Sequence, residues 1–143
     1  VVENITWTPR VHIARCHFSR IPTRGILITT RQPSVIEDNY FYGMQMSAIL
    51  VADDARSWFE SGPVHNLTIR NNTFNRCAGS TIWINPENRK KAGAVHRNIT
   101  IENNVFTLRS QDDKPLVYDS VDNLKVKNNI VICPNGETKE LSK

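Results

Sequence analysis

The sequence predicts an all-β fold, a right-handed parallel β-helix (a solenoid) of about five coils. Three observations predict it: a strand motif that recurs along the chain, unequal spacing between its copies, and a second apolar strand after most copies. The motif consists of alternating apolar residues, a polar pair rich in asparagine, and an apolar anchor. Its copies lie at 35–41, 67–74, 99–106 and 124–131, with a degenerate copy at 11–18. Alternation with a period of two is typical of strands that bury one face.

The anchor that ends each copy divides the chain into coils. The anchors are spaced by 23, 33, 32 and 25 residues. They are Phe18, Phe41, Phe74, Phe106 and Val131. Coils of constant cross-section with loops of variable length account for these unequal periods. A leucine-rich repeat is the main rival architecture, but its shorter, regular spacing and its leucine consensus are absent from this chain.

Each of the first four anchors is followed by a second apolar strand, at 25–29, 48–52, 81–85 and 115–119. We expect equivalent strands of successive coils to pair in parallel, so that each coil buries its face against its neighbours. Residues 1–143 are therefore interpreted as one β-helix segment. Because residues 1–5 have the pattern of a strand interior, we expect this segment to be excised from a larger multi-coil protein. The repeated asparagines are expected to stack as a hydrogen-bonded ladder, with Cys16 in the same buried position of the first coil. They are Asn39, Asn72, Asn104 and Asn129.

Composition argues against several classes of partner. The net charge of +4 comes with basic residues that are scattered along the sequence, whereas nucleic-acid binding needs a dense basic face. No apolar run approaches the ~20 residues of a membrane-spanning helix. The three cysteines are widely spaced and form no zinc-ligand pattern, so they are interpreted as small buried side chains, and no metal or cofactor is expected. No signal peptide opens the sequence, and we expect a secreted, periplasmic or cell-surface protein whose targeting signal lies outside these residues.

Carboxylates follow the second strands in a way that predicts a column across the coils. Thr29–Thr30–Arg31 aligns with Ala52–Asp53–Asp54, which aligns with Asn85–Pro86–Glu87, and Asp119 follows on the next coil. Coils are separated by the strand-pairing distance of ~4.8 Å. Three of these carboxylates are therefore predicted to converge at one edge of the stack, flanked by Arg24 and Arg31. They are Asp53, Asp54 and Glu87.

Crowded carboxylates suit glycoside hydrolysis. Mutual repulsion raises the pKa of at least one of them, and the reaction needs one protonated acid and one ionised partner. Side chains on neighbouring coils can reach the ~6.5–9.5 Å separation that leaves space for a water molecule in an inverting enzyme. The alternative is structural, because an aspartate after a strand is commonly a turn former.

An insertion at residues 54–63 lengthens its coil and carries aromatic residues outside the repeat. An exposed Trp58 would be a platform for the apolar face of a sugar, and Glu60 would hydrogen-bond a sugar hydroxyl. The alternatives are a hydrophobic plug over the strand edges and an ion pair with a nearby arginine. Trp83 alternates with inward Ile82 and Ile84, so it is predicted to point outward. His65 and His96, each shortly before a repeat strand, are interpreted as solvated turn residues.

Three runs of the sequence, RGILITTR (24–31), MSAILVADDA (46–55) and WFESGPVH (58–65), resemble the exo-acting α-1,3-galactosidases of glycoside hydrolase family 110. The turn NPEN (85–88) is similar to theirs as well, and the resemblance covers about Thr6 to Phe106. It implies a secreted bacterial β-helix enzyme that removes terminal α-1,3-linked galactose with inversion and without a cofactor. Asp53 and Asp54 would activate the water, and Glu87 would be the acid. The predicted substrate-binding residues are Arg24, Thr30, Arg31, Trp58, Glu60, Trp83 and Asn85.

Two other functions remain open at this stage, and both keep the β-helix. A polysaccharide lyase would need a basic residue as proton abstractor, and calcium or arginines to neutralise a uronate, so a calcium requirement would favour it. A non-catalytic β-helix that binds glycans or spaces domains would keep its glycan binding after loss of the three carboxylates. The expected partner in the leading interpretation is a glycan with terminal α-galactose. Exposed coil ends would add self-association.

Overall fold

The computed structural model describes residues 6–54, 62–87 and 93–143, and these ranges form short strands joined by turns. Coils 1 and 2 contain β1 (Val11–Ala14), β2 (His17–Ser19), β3 (Ile26–Ile28), β4 (Ser34–Glu37), β5 (Tyr40–Tyr42) and β6 (Ile49–Ala52). Coils 3 and 4 contain β7 (His65–Arg70), β8 (Thr73–Asn75), β9 (Ser80–Asn85), β10 (His96–Glu102), β11 (Val105–Thr107) and β12 (Lys114–Tyr118). Coil 5 contains β13 (Val121–Lys127) and β14 (Asn129–Ile132), followed by β15 (Thr138–Leu141).

Equivalent strands of successive coils build three sheets in the described part of the chain. Sheet A has the order β1-β4-β7-β10-β13, sheet B the order β2-β5-β8-β11-β14-β15, and sheet C the order β3-β6-β9-β12. The strands of each sheet pair in parallel, except that β15 returns antiparallel to β14. The predicted parallel β-helix is confirmed, with three strands in each of coils 1 to 4 where the sequence had indicated at least two.

The core contains a column of stacked aromatic side chains, one from each of the first four coils. Phe18, Phe41, Phe74 and Phe106 form a stack with ring centroids 4.8–4.9 Å apart. Isoleucines of sheets A and C fill the interior beside it, and those of coils 2 to 4 are almost inaccessible to solvent. Aromatic stacking and apolar burial between coils therefore supply the main stabilisation.

The asparagine ladder is confirmed and runs along the corner between sheets A and B. The backbone N–H of Asn39 donates to Oδ1 of Asn72 at 3.0 Å, that of Asn72 to Asn104 at 2.9 Å, and that of Asn104 to Asn129 at 3.0 Å. Each side-chain amide also donates to the backbone carbonyl of an inward residue of the preceding coil, as Asn104 does to Ile69 at 3.0 Å. These asparagines are buried, but nearly all of their polar atoms are used.

The cysteines divide between two environments. Cys77 and Cys133 are buried, as predicted, and burial raises the pKa of the Cys77 thiol. The expected burial of Cys16 is wrong: its side chain is exposed. Cys16 does occupy the ladder position, since its N–H donates to Oδ1 of Asn39 at 2.9 Å. It lies in coil 1, where a coil packs against it on one side only in the described structure.

The loops that differ in length between coils lie at the corner between sheets C and A, here called the C–A corner. It consists of the segments 29–33, 53–64, 86–95 and 119–120, of which 55–61 and 88–92 are outside the described ranges. The corner between sheets B and C, the B–C corner, consists of 20–25, 43–48, 76–79 and 108–113. No helix in the described ranges is long and apolar enough to cross a membrane.

Candidate active site

The backbone register at the C–A corner agrees with the alignment made from sequence. Ile28 pairs with Val51, and Ala52 pairs with Asn85. On the next coil the N–H of Asp119 donates to the carbonyl of Ile84 at 3.0 Å. Val51 pairs with Ile84 on the next coil. Asp54 lies three residues after Val51, and Glu87 lies three residues after Ile84. Asp53, Asp54 and Glu87 thus follow adjacent strands at one edge of sheet C.

The three carboxylates differ in their exposure to solvent. Asp54 is buried, with 5% of its surface accessible. Asp53 is half-buried, and its Oδ1 accepts a long hydrogen bond of 3.4 Å from the N–H of Gly62. Glu87 is exposed. This corner therefore combines a buried carboxylate with an exposed one, which is an arrangement that acid–base chemistry can use.

Thr30 and Arg31 precede sheet A in coil 1 and have different environments. Thr30 is buried, and its hydroxyl donates to the carbonyl of Pro9 at 2.6 Å and accepts from the N–H of Gln32 at 3.2 Å. These bonds occupy the Thr30 hydroxyl inside the protein, so its part in the fold is to hold the turn. Arg31 is half-buried and lies close enough to His65 for its charge to lower the pKa of that histidine.

Arg24 is not brought to the carboxylates. It is exposed on the B–C corner and precedes β3, whereas Thr30 and Arg31 follow β3. The length of the strand separates the two ends of sheet C, because a β-strand rises ~3.3 Å per residue. The expectation that Arg24 flanks the carboxylates is therefore wrong in geometry.

Trp83 and Asn85 lie on the outer face of sheet C, next to the carboxylate edge. Ile82 and Ile84 are fully buried while Trp83 is half-buried, so the predicted outward direction of Trp83 is confirmed. The strand register gives it Leu50 on one side and Val117 on the other. This apolar strip is the kind of surface on which a sugar ring stacks. Asn85 is half-buried at the end of the same strand.

Trp58 and Glu60, the remaining predicted substrate-binding residues, lie outside the described residues.

Two histidines belong to this corner, and the interpretation of both as solvated turn residues is wrong for His96. The side chain of His96 is fully buried, and its Nδ1 accepts the N–H of Val64 at 3.0 Å. The proton of the neutral ring is therefore on Nε2, which has no hydrogen-bond partner in the described part of the structure. Burial, with a smaller contribution from His65, lowers the pKa of His96 to about 4.

His65 is half-buried on the same corner, and its Nε2 accepts a hydrogen bond of 3.1 Å from Nε of Arg97. Burial lowers its pKa, as do the charges of Arg97 and Arg31. Val64 is the last residue of the 53–64 loop, which begins with Asp53 and Asp54. The hydrogen bond from Val64 to His96 therefore holds the end of this loop against β10. A sequence signal existed for this role, since both histidines precede a repeat strand by a similar distance.

Comparison with known proteins agrees with this structure. Residues 4–131 match the family model described as the right handed beta helix region. The chain is 57% identical over 142 residues to an α-1,3-galactosidase A of Bacteroides thetaiotaomicron, a match that covers 99% of this chain and 25% of that protein. It is 52% identical over 110 residues to an α-1,3-galactosidase A of Peterkaempfera griseoplana, with 76% of this chain and 15% of that protein covered. It is also 52% identical over 110 residues to an α-1,3-galactosidase A of Akkermansia muciniphila, a match that covers 77% of this chain and 18% of that protein.

The resemblance to α-1,3-galactosidases is thus confirmed, and the chain spans about a quarter or less of the length of the curated relatives it matches. The described strands form a parallel three-sided stack, and the family model extends over most of the sequence. The predicted fold class is confirmed, and the chain belongs to the right-handed β-helix family.

Proposed function

We propose that this chain is part of an exo-acting glycoside hydrolase that removes terminal α-1,3-linked galactose from glycans. The observation that carries the proposal is the similarity to proteins named α-1,3-galactosidase, which reaches 57% identity across the segments that contain the carboxylate corner. The pairing of β6 with β9 ends at Ala52 and Asn85, and Asp54 and Glu87 each follow that pair by two residues, which supports a centre at this corner. The partner is accordingly a glycan with terminal α-galactose.

The proposed mechanism is a single displacement by water with inversion at the anomeric carbon. Asp53 and Asp54 orient and deprotonate the attacking water, and Glu87 protonates the oxygen of the leaving group as the glycosidic bond breaks. Backbones ~4.8 Å apart allow carboxyl groups on adjacent coils to reach the ~6.5–9.5 Å separation typical of inverting enzymes. Trp83 would stack on the sugar, while Arg31 and Asn85 would hydrogen-bond its hydroxyls. Neither a metal nor an organic cofactor takes part in this scheme.

The test is hydrolysis of an α-1,3-linked galactose disaccharide by the protein in its natural length, with the anomer of the released galactose followed by NMR. We expect β-galactose first. Replacement by Asp54→Asn or Glu87→Gln should reduce kcat by about 10²–10⁴-fold, the usual contribution of general acid–base catalysis. Glu102→Gln is the matched control, because this glutamate lies on sheet A and pairs with Lys127 at 2.9 Å.

Each failure of this test has a distinct meaning. Initial α-galactose would contradict inversion but keep the hydrolase. No galactose from folded protein would overturn the proposal. Calcium-dependent cleavage of a polyuronate would then indicate a lyase, and glycan binding that survives alanine at all three carboxylates would indicate a non-catalytic β-helix.

We also propose that the chain self-associates through its coil ends. In the described structure β1, β2 and β3 pair on one side only, as do β12 and β13 at the other end. Unpaired strand edges are templates for further pairing. Sedimentation velocity over a range of concentrations tests this, and a monomer at every concentration would contradict it.

We propose a secreted, periplasmic or cell-surface location, because the proposed glycan substrate is found outside cells. Fractionation of the producing bacterium with an antibody against this chain is the test. Recovery in the cytoplasm alone would contradict the proposal.

A further inference from the structure

A groove lined by several arginines lies on the B–C corner, away from the carboxylates. Its volume is about 310 Å³, and it is lined by Arg20, Tyr42, Gly43, Gln45, Arg76 and Arg109. Three arginines thus line one cavity, although 56 and 33 residues separate them along the chain. No carboxylate belongs to this lining. The volume is at the lower end of the range for small-molecule sites, which suits one sugar ring and its substituents.

The groove exists because one coil lacks a side chain at a position where its neighbours carry arginine. Arg20, Gly43 and Arg76 are equivalent: each donates its N–H to the next coil, to the carbonyls of Tyr42, Asn75 and Thr107 respectively. All three have left-handed backbone, with φ of 52°, 62° and 55°. A Cβ at Gly43 would contact only Cγ of Arg20, at 3.9 Å. Gly43 therefore leaves a slot between two arginines that are two coils, or ~10 Å, apart.

The charge in this groove is largely uncompensated. Arg20 lies over the ring of Tyr42, 5.9 Å from its centroid. In the described ranges neither Arg20 nor Arg76 forms an ion pair with a carboxylate, and Arg109 has a long one with Asp113 at 3.6 Å. Like charges held on a rigid scaffold repel one another, and a bound anion relieves that repulsion.

We propose that this groove binds the oxyanion of an acidic saccharide, either a sulfate ester or a carboxylate. The planar, bidentate fork of arginine matches both groups. That the oxyanion belongs to a saccharide rests on the proposed function, because a chain that acts on glycans would meet charged glycans. The oxyanion itself rests on the three arginines alone. The groove would hold a charged unit of the glycan while the distant corner acts on a terminal residue.

The test is calorimetric titration of the chain with oligosaccharides of one length that carry no terminal α-galactose, so that the carboxylate corner has no substrate: a sulfated galactan, a galacturonan and the neutral galactan. An oligonucleotide of similar charge is the fourth probe. We expect the sulfated or the uronic probe to bind and the neutral one not to bind. Arg20→Gln and Arg76→Gln should each weaken binding about tenfold, as expected for loss of one charge-assisted hydrogen-bonding group.

Arg15→Gln is the matched control, because Arg15 is also exposed and also has left-handed backbone, with φ of 54°, but lies on the A–B corner. It should leave the affinity unchanged. Equal losses in Arg15→Gln, equal binding of the neutral galactan, or full affinity in the Arg20→Gln/Arg76→Gln double variant would overturn the proposal. If the oligonucleotide bound as tightly as the acidic oligosaccharides, and the Arg20 and Arg76 variants weakened its binding too, the proposal that the ligand is a saccharide would be overturned. Binding is measured without turnover, so a failure here is distinguishable from a failure of the hydrolase.

Discussion

At the scale of residues, the two polar positions before each anchor have separate tasks. The first adopts left-handed backbone, with φ of 54–56°; these residues are Arg15, Asp38, Asn71, Asn103 and Asn128. The second is a buried asparagine in coils 2 to 5 and builds the ladder, whereas in coil 1 it is the exposed Cys16. Asparagine suits both, because it tolerates left-handed φ and its amide both donates and accepts. The motif was therefore predictable from sequence as a bend followed by a ladder.

Asn104→Ala should reduce the free energy of unfolding by about 2–4 kcal/mol, because it leaves buried polar groups without partners. Oδ1 of Asn104 accepts from the N–H and the side-chain amide of Asn72, and its own amide donates to Ile69 and Asn129. Asn103→Gly is the control, since glycine accommodates the left-handed φ of 56°. Urea unfolding of both variants is the measurement. Equal stability of the two variants would contradict a structural role of the ladder.

His96 gives the fold a dependence on pH. Its pKa is about 4 in the folded protein and close to 6.5 when unfolded, so between these values the unfolded chain binds more protons. The free energy of unfolding should therefore fall as the pH falls through this window, by about 2 kcal/mol between pH 7 and 5. His65, whose pKa burial also lowers, adds in the same direction.

Urea unfolding at pH 7 and pH 5 tests this, and His96→Gln should remove most of the pH dependence whatever its overall stability. Readings above pH 4.5 avoid Glu37, whose pKa is lowered by hydrogen bonds from Arg70 and His12. An unchanged slope in His96→Gln would show that other groups cause the effect.

At the scale of elements, alternation predicted sheets A and C but not sheet B as a separate sheet. β2, β5, β8 and β11 are three residues long and follow the left-handed residue, which interrupts the alternation. The site was predictable only where it follows strand register, as for the corner that holds Asp54 and Glu87. The burial of His96 and the arginine groove depend on contacts between side chains of neighbouring coils, which the positions of these residues in the repeat indicate but do not determine.

The pairing of β3 with β6 depends on Gly25. A Cβ at this residue would lie 2.7 Å from the carbonyl oxygen of Ala48, which accepts the N–H of Ile26 at 2.9 Å. Gly25→Ala should therefore force the two coils apart locally and cost about 1–3 kcal/mol, as overpacking does. Thermal and urea unfolding would measure the loss.

Gly79→Asn is the comparison for Gly25→Ala. Nothing lies within 4 Å of a Cβ at Gly79, and asparagine tolerates its φ of 61°. It should stay within about 1 kcal/mol of the parent chain. A smaller effect at Gly25 than at Gly79 would contradict the steric explanation.

At the scale of the whole molecule, stability should vary along the solenoid axis, because each coil contacts only its neighbours. Inward residues of the middle coils, such as Ile69 and Ile82, are fully buried, whereas Val11, Ile13 and Phe18 of coil 1 are half-buried. In the chain as given, coil 1 should open without unfolding the rest. Such local opening is visible in amide hydrogen exchange.

Ile13 and Ile69 make the sharpest comparison, because both pair with Ile36 and so occupy one position of the same ladder. Residue type and register are matched, and the two positions differ in the number of neighbouring coils that pack against them in the described structure. Ile69 should exchange roughly a hundredfold more slowly than Ile13, which corresponds to about 3 kcal/mol of additional opening free energy. NMR-detected exchange under native conditions is the measurement. Equal rates for the two isoleucines would mean that the coils open together, as one cooperative unit.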